Sequence, residues 1–163
     1  MILNAKSNEF KLWATEKEAN IPSNISDLKI NIKDINHVKS DEIKKIKALV
    51  HRYNCCIYKS SSELISKIDL VNFAQALGML TYDMNNIDND SVCTITRDKL
   101  NNRKLYIPYT DKALNWHTDG YYDQMPIYSW LLHCVVPAQE GGENRLLDHE
   151  LVIRQYVLKH DDI

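Results

Sequence analysis

Apolar residues change rhythm partway along this chain, and the change narrows the architectures open to it. Over Ile43, Ile46, Leu49 and Val50, and again over Leu70, Phe73, Ala74 and Leu77, they recur at intervals of three and four. That spacing lays one face of a helix on a core. Ser40 followed by Asp41 and Glu42 predicts an N-cap and an acidic first turn for the first helix. The second is expected to start near Asp69 and close on Gly78. From Leu105 onward the helical interval is lost and the character becomes β. Tyr128 to Val136 lacks polar alternation, which predicts a central strand covered on both faces. Helices followed by strands predict an α+β chain.

The remaining segments fit around these. Met1 to about Val38 is expected to be an arm with one strand, because Leu28, Ile30 and Ile32 alternate with Lys29, Asn31 and Lys33. Phe10, Leu12 and Trp13 form an apolar cluster in an otherwise irregular stretch. Cys55 to Tyr58 and Val92 to Thr96 predict short strands, and Asp83 to Asp90 an exposed loop. Gly141-Gly142 predicts a turn with positive φ, followed by a short strand over Arg145 to Leu147. Asp148 is placed to cap a last helix through Leu151, Val152, Gln155 and Leu158. Residues 39–163 then form the main body, one globular unit together with the arm.

Charge and cysteine usage exclude several function classes. A formal net charge of -2 gives no electrostatic reason to expect a nucleic-acid partner. No apolar run approaches the ~20 residues that span a bilayer, and the N-terminus lacks a signal-peptide pattern. The expectation is a soluble, cytoplasmic protein with no membrane partner. Cys55, Cys56, Cys93 and Cys134 show no C-x-x-C spacing, so they are expected to be small buried apolar residues, not zinc or redox pairs.

The chemistry concentrates in Leu114-Asn115-Trp116-His117-Thr118-Asp119-Gly120-Tyr121-Tyr122. In extended backbone His117 and Asp119 project from the same side, with Thr118 facing away. An imidazole beside a carboxylate supplies two ligands of a 2-His-1-carboxylate iron triad. The same pair on a loop could equally be a simple hydrogen-bonded couple. Trp116, Tyr121 and Tyr122 flank it and could either wall a substrate cavity or serve as packing. Gly120 permits a bend after the pair.

Further residues follow in a distinctive order: Tyr106-Ile107-Pro108-Tyr109-Thr110 upstream, then Leu132-His133-Cys134-Val135, Pro137-Ala138, Gly141-Gly142-Glu143-Asn144 and Leu147-Asp148-His149-Glu150. This series resembles the taurine dioxygenase (TauD/TfdA) family, and within it most of all the γ-butyrobetaine hydroxylase branch. The resemblance is dense over Leu105 to Leu151 and diffuse over Phe10 to Gly78. It implies a double-stranded β-helix, a jelly-roll or cupin-like fold, with flanking helices. It also implies the cofactors Fe(II) and 2-oxoglutarate and the hydroxylation of a small organic acid. His117 and Asp119 would be metal ligands, and Trp116, Tyr121 and Tyr122 substrate-binding residues able to attract a quaternary ammonium group by cation–π contact. Asn144 would lie near 2-oxoglutarate, a turn-stabilising role being the alternative.

In the family a later histidine completes the triad and an arginine shortly after it binds 2-oxoglutarate; neither has a counterpart here. His133, His149 and His160 are the only later histidines. His133 is expected to be a core residue, the other two surface residues. The stretch after Leu105 has room for about four or five strands of ~5–6 residues, short of a full β-helix. The expectation is therefore a partial, truncated β-helix with impaired activity, completed by self-association or by a complementing C-terminal chain. The rival expectation is a catalytically silent relative serving as a binding or assembly module.

Overall fold

A computed structural model describes residues 4–62, 64–80, 92–97, 107–110, 112–120 and 127–160. Two units are formed: Met1–Ser62 with Val136–Ile163, and Glu63–Val135. Four helices, three short 3-10 turns and two strands make up the regular structure of the described residues, a mixed composition compatible with α+β. Among the described residues no helix is long and apolar enough to cross a membrane.

In the first unit, α1 spans Asn8–Ala19, where an irregular stretch was expected. Ser7 Oγ accepts from Phe10 N at 3.1 Å and starts the helix. Phe10 and Ala14, four apart, turn the same face inward. They meet Val157 of the last helix, α4, His149–Lys159, with Trp13 and Ile153 packed around them. Asp148 caps α4 as expected, accepting from Glu150 N at 3.0 Å. Polar contacts tie the two helices together. Lys17 pairs with Asp148 at 2.7 Å and with Glu150, while Arg154 donates to the Ala14 carbonyl at 2.9 Å and pairs with Glu18.

The same unit holds a parallel β–α–β element. Strand β1, Lys29–Ile32, pairs with β2, Ile57–Ser60, in the register Lys29 with Ile57 through Ile32 with Ser60. The anticipated alternation holds: Lys29 and Asn31 are exposed, Ile30 is half-buried and Ile32 fully buried. A parallel pair needs a crossover, and α2, Ser40–Tyr53, supplies it with Ile46 buried. The N-cap is Lys39, not Ser40. Glu42 explains the earlier start, because its carboxylate reaches back to accept from Lys39 N at 2.8 Å and from Lys33 N at 3.1 Å. Those two hydrogen bonds hold the Glu42 carboxyl below its usual range. Asn54, with φ 58, ends the helix in left-handed conformation.

In the second unit, α3 runs over Lys67–Leu77 with Phe73 and Ala74 buried. It starts two residues before Asp69, because Ser66 and Asp69 form a reciprocal capping box: Ser66 N donates to Asp69 Oδ2 at 2.8 Å and Asp69 N to Ser66 Oγ at 3.3 Å. Gly78 closes it at φ 93, as its position predicts. Tyr109 is buried in a 3-10 turn, Ile107–Tyr109, with its hydroxyl 3.5 Å from Cys93 Sγ.

The expected strands Val92–Thr96, Tyr128–Val136 and Arg145–Leu147 are not formed. Tyr128 is 92% exposed and Val136 79%, the opposite of a strand covered on both faces. β-prone composition makes a strand only where a ladder partner exists, and among the described residues the sheet has two strands alone. The anticipated loop Asp83–Asp90 lies outside the described residues.

Candidate metal centre

His117 and Asp119 sit in non-regular backbone of the second unit, on a segment that turns at Gly120 with φ 68. Their side chains lie together: Nε2 of His117 is 3.3 Å from Oδ1 of Asp119, and both groups are about half exposed. The other ring nitrogen, Nδ1, is 2.7 Å from the Asn115 carbonyl oxygen. A metal-bound histidine is commonly held in this way, one nitrogen tied to a carbonyl and the other free to ligate.

The donor set can be tested against a divalent ion. Two N or O ligands at ~2.0–2.2 Å from one metal, set ~90–110° apart, lie about 2.8–3.6 Å from each other. The observed 3.3 Å falls inside that interval. Imidazole with carboxylate also suits Fe(II) in chemical type. Iron would therefore fit beside Nε2 and Oδ1, bonded to both. No group of three or more His, Cys, Asp or Glu side chains suited to a metal occurs among the described residues.

The other anticipated residues are placed as follows. Trp116 precedes the pair and is 65% exposed. Tyr121 and Tyr122 lie outside the described residues. Asn144 is exposed and belongs to the first unit, two residues after Gly142. Gly141 and Gly142 adopt φ +73 and +79, so the expected turn is present. A Cβ on Gly142 would approach that of Ala138 to 3.1 Å. His133 is half-buried, and burial lowers its imidazole pKa. His149 and His160 are exposed, and His160 stacks on Tyr156 with ring centroids 4.5 Å apart.

One participant could not be found by reading side-chain types, because it is the backbone carbonyl of Asn115. The weak signal for it is spacing alone, since a histidine ring can reach back to the carbonyl two residues earlier.

Comparison with curated proteins and with solved structures gave no match. The model of the taurine catabolism dioxygenase TauD, TfdA family matches residues 17–156. That span takes in His117, Asp119 and Asn144 and covers well over half of the 163 residues. With its paired imidazole and carboxylate set at a chelating distance, this chain belongs to the TauD/TfdA family, whose members are in general Fe(II)- and 2-oxoglutarate-dependent dioxygenases.

Proposed function

We propose that this protein takes part in the Fe(II)/2-oxoglutarate-dependent hydroxylation of a small organic acid, with His117 and Asp119 as iron ligands. The observation that carries the reading is the 3.3 Å separation of Nε2 and Oδ1, with Nδ1 tied back to Asn115. When bound, iron would activate dioxygen, one oxygen atom going to turn a substrate C–H into C–OH and the other into succinate as 2-oxoglutarate is oxidised with loss of CO2.

The chain's own contribution is positional. Asp119 offers a carboxylate oxygen and His117 a ring nitrogen, and both side chains are about half exposed, within reach of small molecules. Trp116 offers an aromatic face beside the pair, and Tyr121 and Tyr122 follow it in sequence after Gly120. Together they suit a substrate with a quaternary ammonium group, as in the γ-butyrobetaine hydroxylase branch. Asn144 offers an amide for a carboxylate of 2-oxoglutarate. A cupin-like β-helix is the proposed frame, and the third ligand comes from outside the described residues. We place the protein in the cytoplasm.

The test is anaerobic titration with Fe(II) and 2-oxoglutarate, followed by succinate measurement on admitting oxygen. The reading expects Fe(II) binding that His117→Ala and Asp119→Ala abolish. Binding that survives both substitutions would refute it.

A second reading, a silent binding or assembly module, is favoured by one observation: Tyr128, Leu132, Val135, Val136 and Leu146 present apolar side chains to solvent. Under that reading light scattering shows an oligomer, while Fe(II) fails to bind at the pair.

A further inference from the structure

His117 Nδ1 lies 2.7 Å from the carbonyl oxygen of Asn115. A carbonyl has no proton to give, so the hydrogen of this contact sits on Nδ1. In the neutral ring the other nitrogen is then bare, and it is this Nε2 that faces Asp119 Oδ1 at 3.3 Å. With a proton on Nε2 as well, that contact is an ion pair; in the neutral ring it sets two acceptors side by side, the arrangement a shared divalent cation takes.

We infer that the Asn115 carbonyl is the positioning group of the pair: it selects the Nδ1–H tautomer of His117 and aims the Nε2 lone pair, beside Asp119, at a shared divalent cation. The inference rests on the reading of His117 and Asp119 as metal ligands. A hydrogen bond of ordinary net strength shifts a tautomer ratio by roughly 2–13-fold towards Nδ1–H. The carbonyl belongs to a residue only two positions before the ring, and Gly120 with φ 68 turns the chain just after Asp119. The aim is thus set inside a six-residue segment, Asn115 to Gly120.

The experiment is long-range 1H–15N correlation of the histidine rings in the metal-free full chain, at a pH where imidazole is neutral, with His117→Gln used to assign the signal. The expected result is a protonated Nδ1 and a bare Nε2 for His117. Asn115→Ala, which removes the side chain and keeps the carbonyl, is expected to leave that pattern intact. A dominant Nε2–H form in the parent chain, or a switch of tautomer in Asn115→Ala, overturns the assignment. Zn(II) is then titrated as a diamagnetic probe. Movement of the Nε2 resonance with Nδ1 still protonated supports the proposal. An unmoved Nε2 beside the expected tautomer overturns the metal-ligand reading instead, and with it the purpose given to the carbonyl.

Discussion

Replacing Lys17 by Met should unlock the junction of α1 and α4, and its size can be worked from the contacts. The Lys17 ammonium lies 2.7 Å from Asp148 and also pairs with Glu150, and its own side chain is only 12% exposed. Burial alone would lower the Lys17 pKa, but the hydrogen bonds and charges of the two acids outweigh it and raise it. Glu150 is held below its usual range, first by the hydrogen bond from Lys17. Met keeps much of the aliphatic stem but leaves two carboxylates facing each other. Losing the partner of a fully buried charge costs ~3–5 kcal/mol. Glu150 is 38% exposed and Asn54 Nδ2 still donates to it at 2.8 Å, so solvent and that amide recover part of the cost. We expect a loss of about 2 kcal/mol, or roughly 4–8 °C in Tm for a chain of this size.

The pH dependence follows from the directions of the shifts. The Glu150 contribution is present above its ordinary value of 4.5 and fades as pH falls through its lowered folded value. The Lys17 contribution is present below 10.5 and fades as pH rises through its raised folded value. The parent should therefore gain most over Lys17→Met between those limits. Urea unfolding followed by circular dichroism, at pH 7 and pH 3, reads this directly. A loss under about 0.5 kcal/mol at pH 7, the level of an exposed pair, or an equal loss at pH 3, would refute the reasoning.

Other expectations are open to test. Phe73→Ala removes a fully buried ring from α3 and should cost ~3–5 kcal/mol in urea unfolding. Gly141→Ala should cost ~1 kcal/mol for its positive φ alone, whereas Gly142→Ala must also push against Ala138, so thermal melts should rank it as the worse of the two. Burial pushes the Cys56 thiol up to about 11, while Cys93 and Cys134 are exposed. Iodoacetamide at pH 7.5, read by peptide mass spectrometry, should accordingly label Cys93 and Cys134 well before Cys56. Asp119→Asn removes the negative ligand and should abolish stoichiometric Mn(II) binding measured by calorimetry, with the fold unchanged by circular dichroism.

Legibility in the sequence followed the range of the interaction involved. Gly78, Asp148 and the alternation through Ile30 and Ile32 act over a few residues, and each reads correctly from its neighbours. The capping of α2 at Lys39 escaped because Glu42 reaches back to the Lys39 N–H, overriding the better cap at Ser40. Helix α1 escaped because only Phe10 and Ala14 are buried on it, and their partner Val157 is far along the chain. Tyr128 to Val136 has strand composition, but composition cannot state whether a partner strand is present. At the site, the adjacency of His117 and Asp119 was readable from their two-residue spacing, whereas the Asn115 carbonyl left no mark in residue type.

The clasp between α1 and α4 has a consequence for how the chain is born. Arg154 meets the Ala14 carbonyl across 140 residues of sequence. At ~5–20 residues per second on the ribosome, roughly 7–28 s separate the synthesis of these two partners. Throughout that interval Phe10 and Trp13 have been made and Val157 has not. The β–α–β element has all its parts by Ser60 and can form early, but the leading helix waits with its aromatic face uncovered, a ready target for holding chaperones until the closing helix emerges.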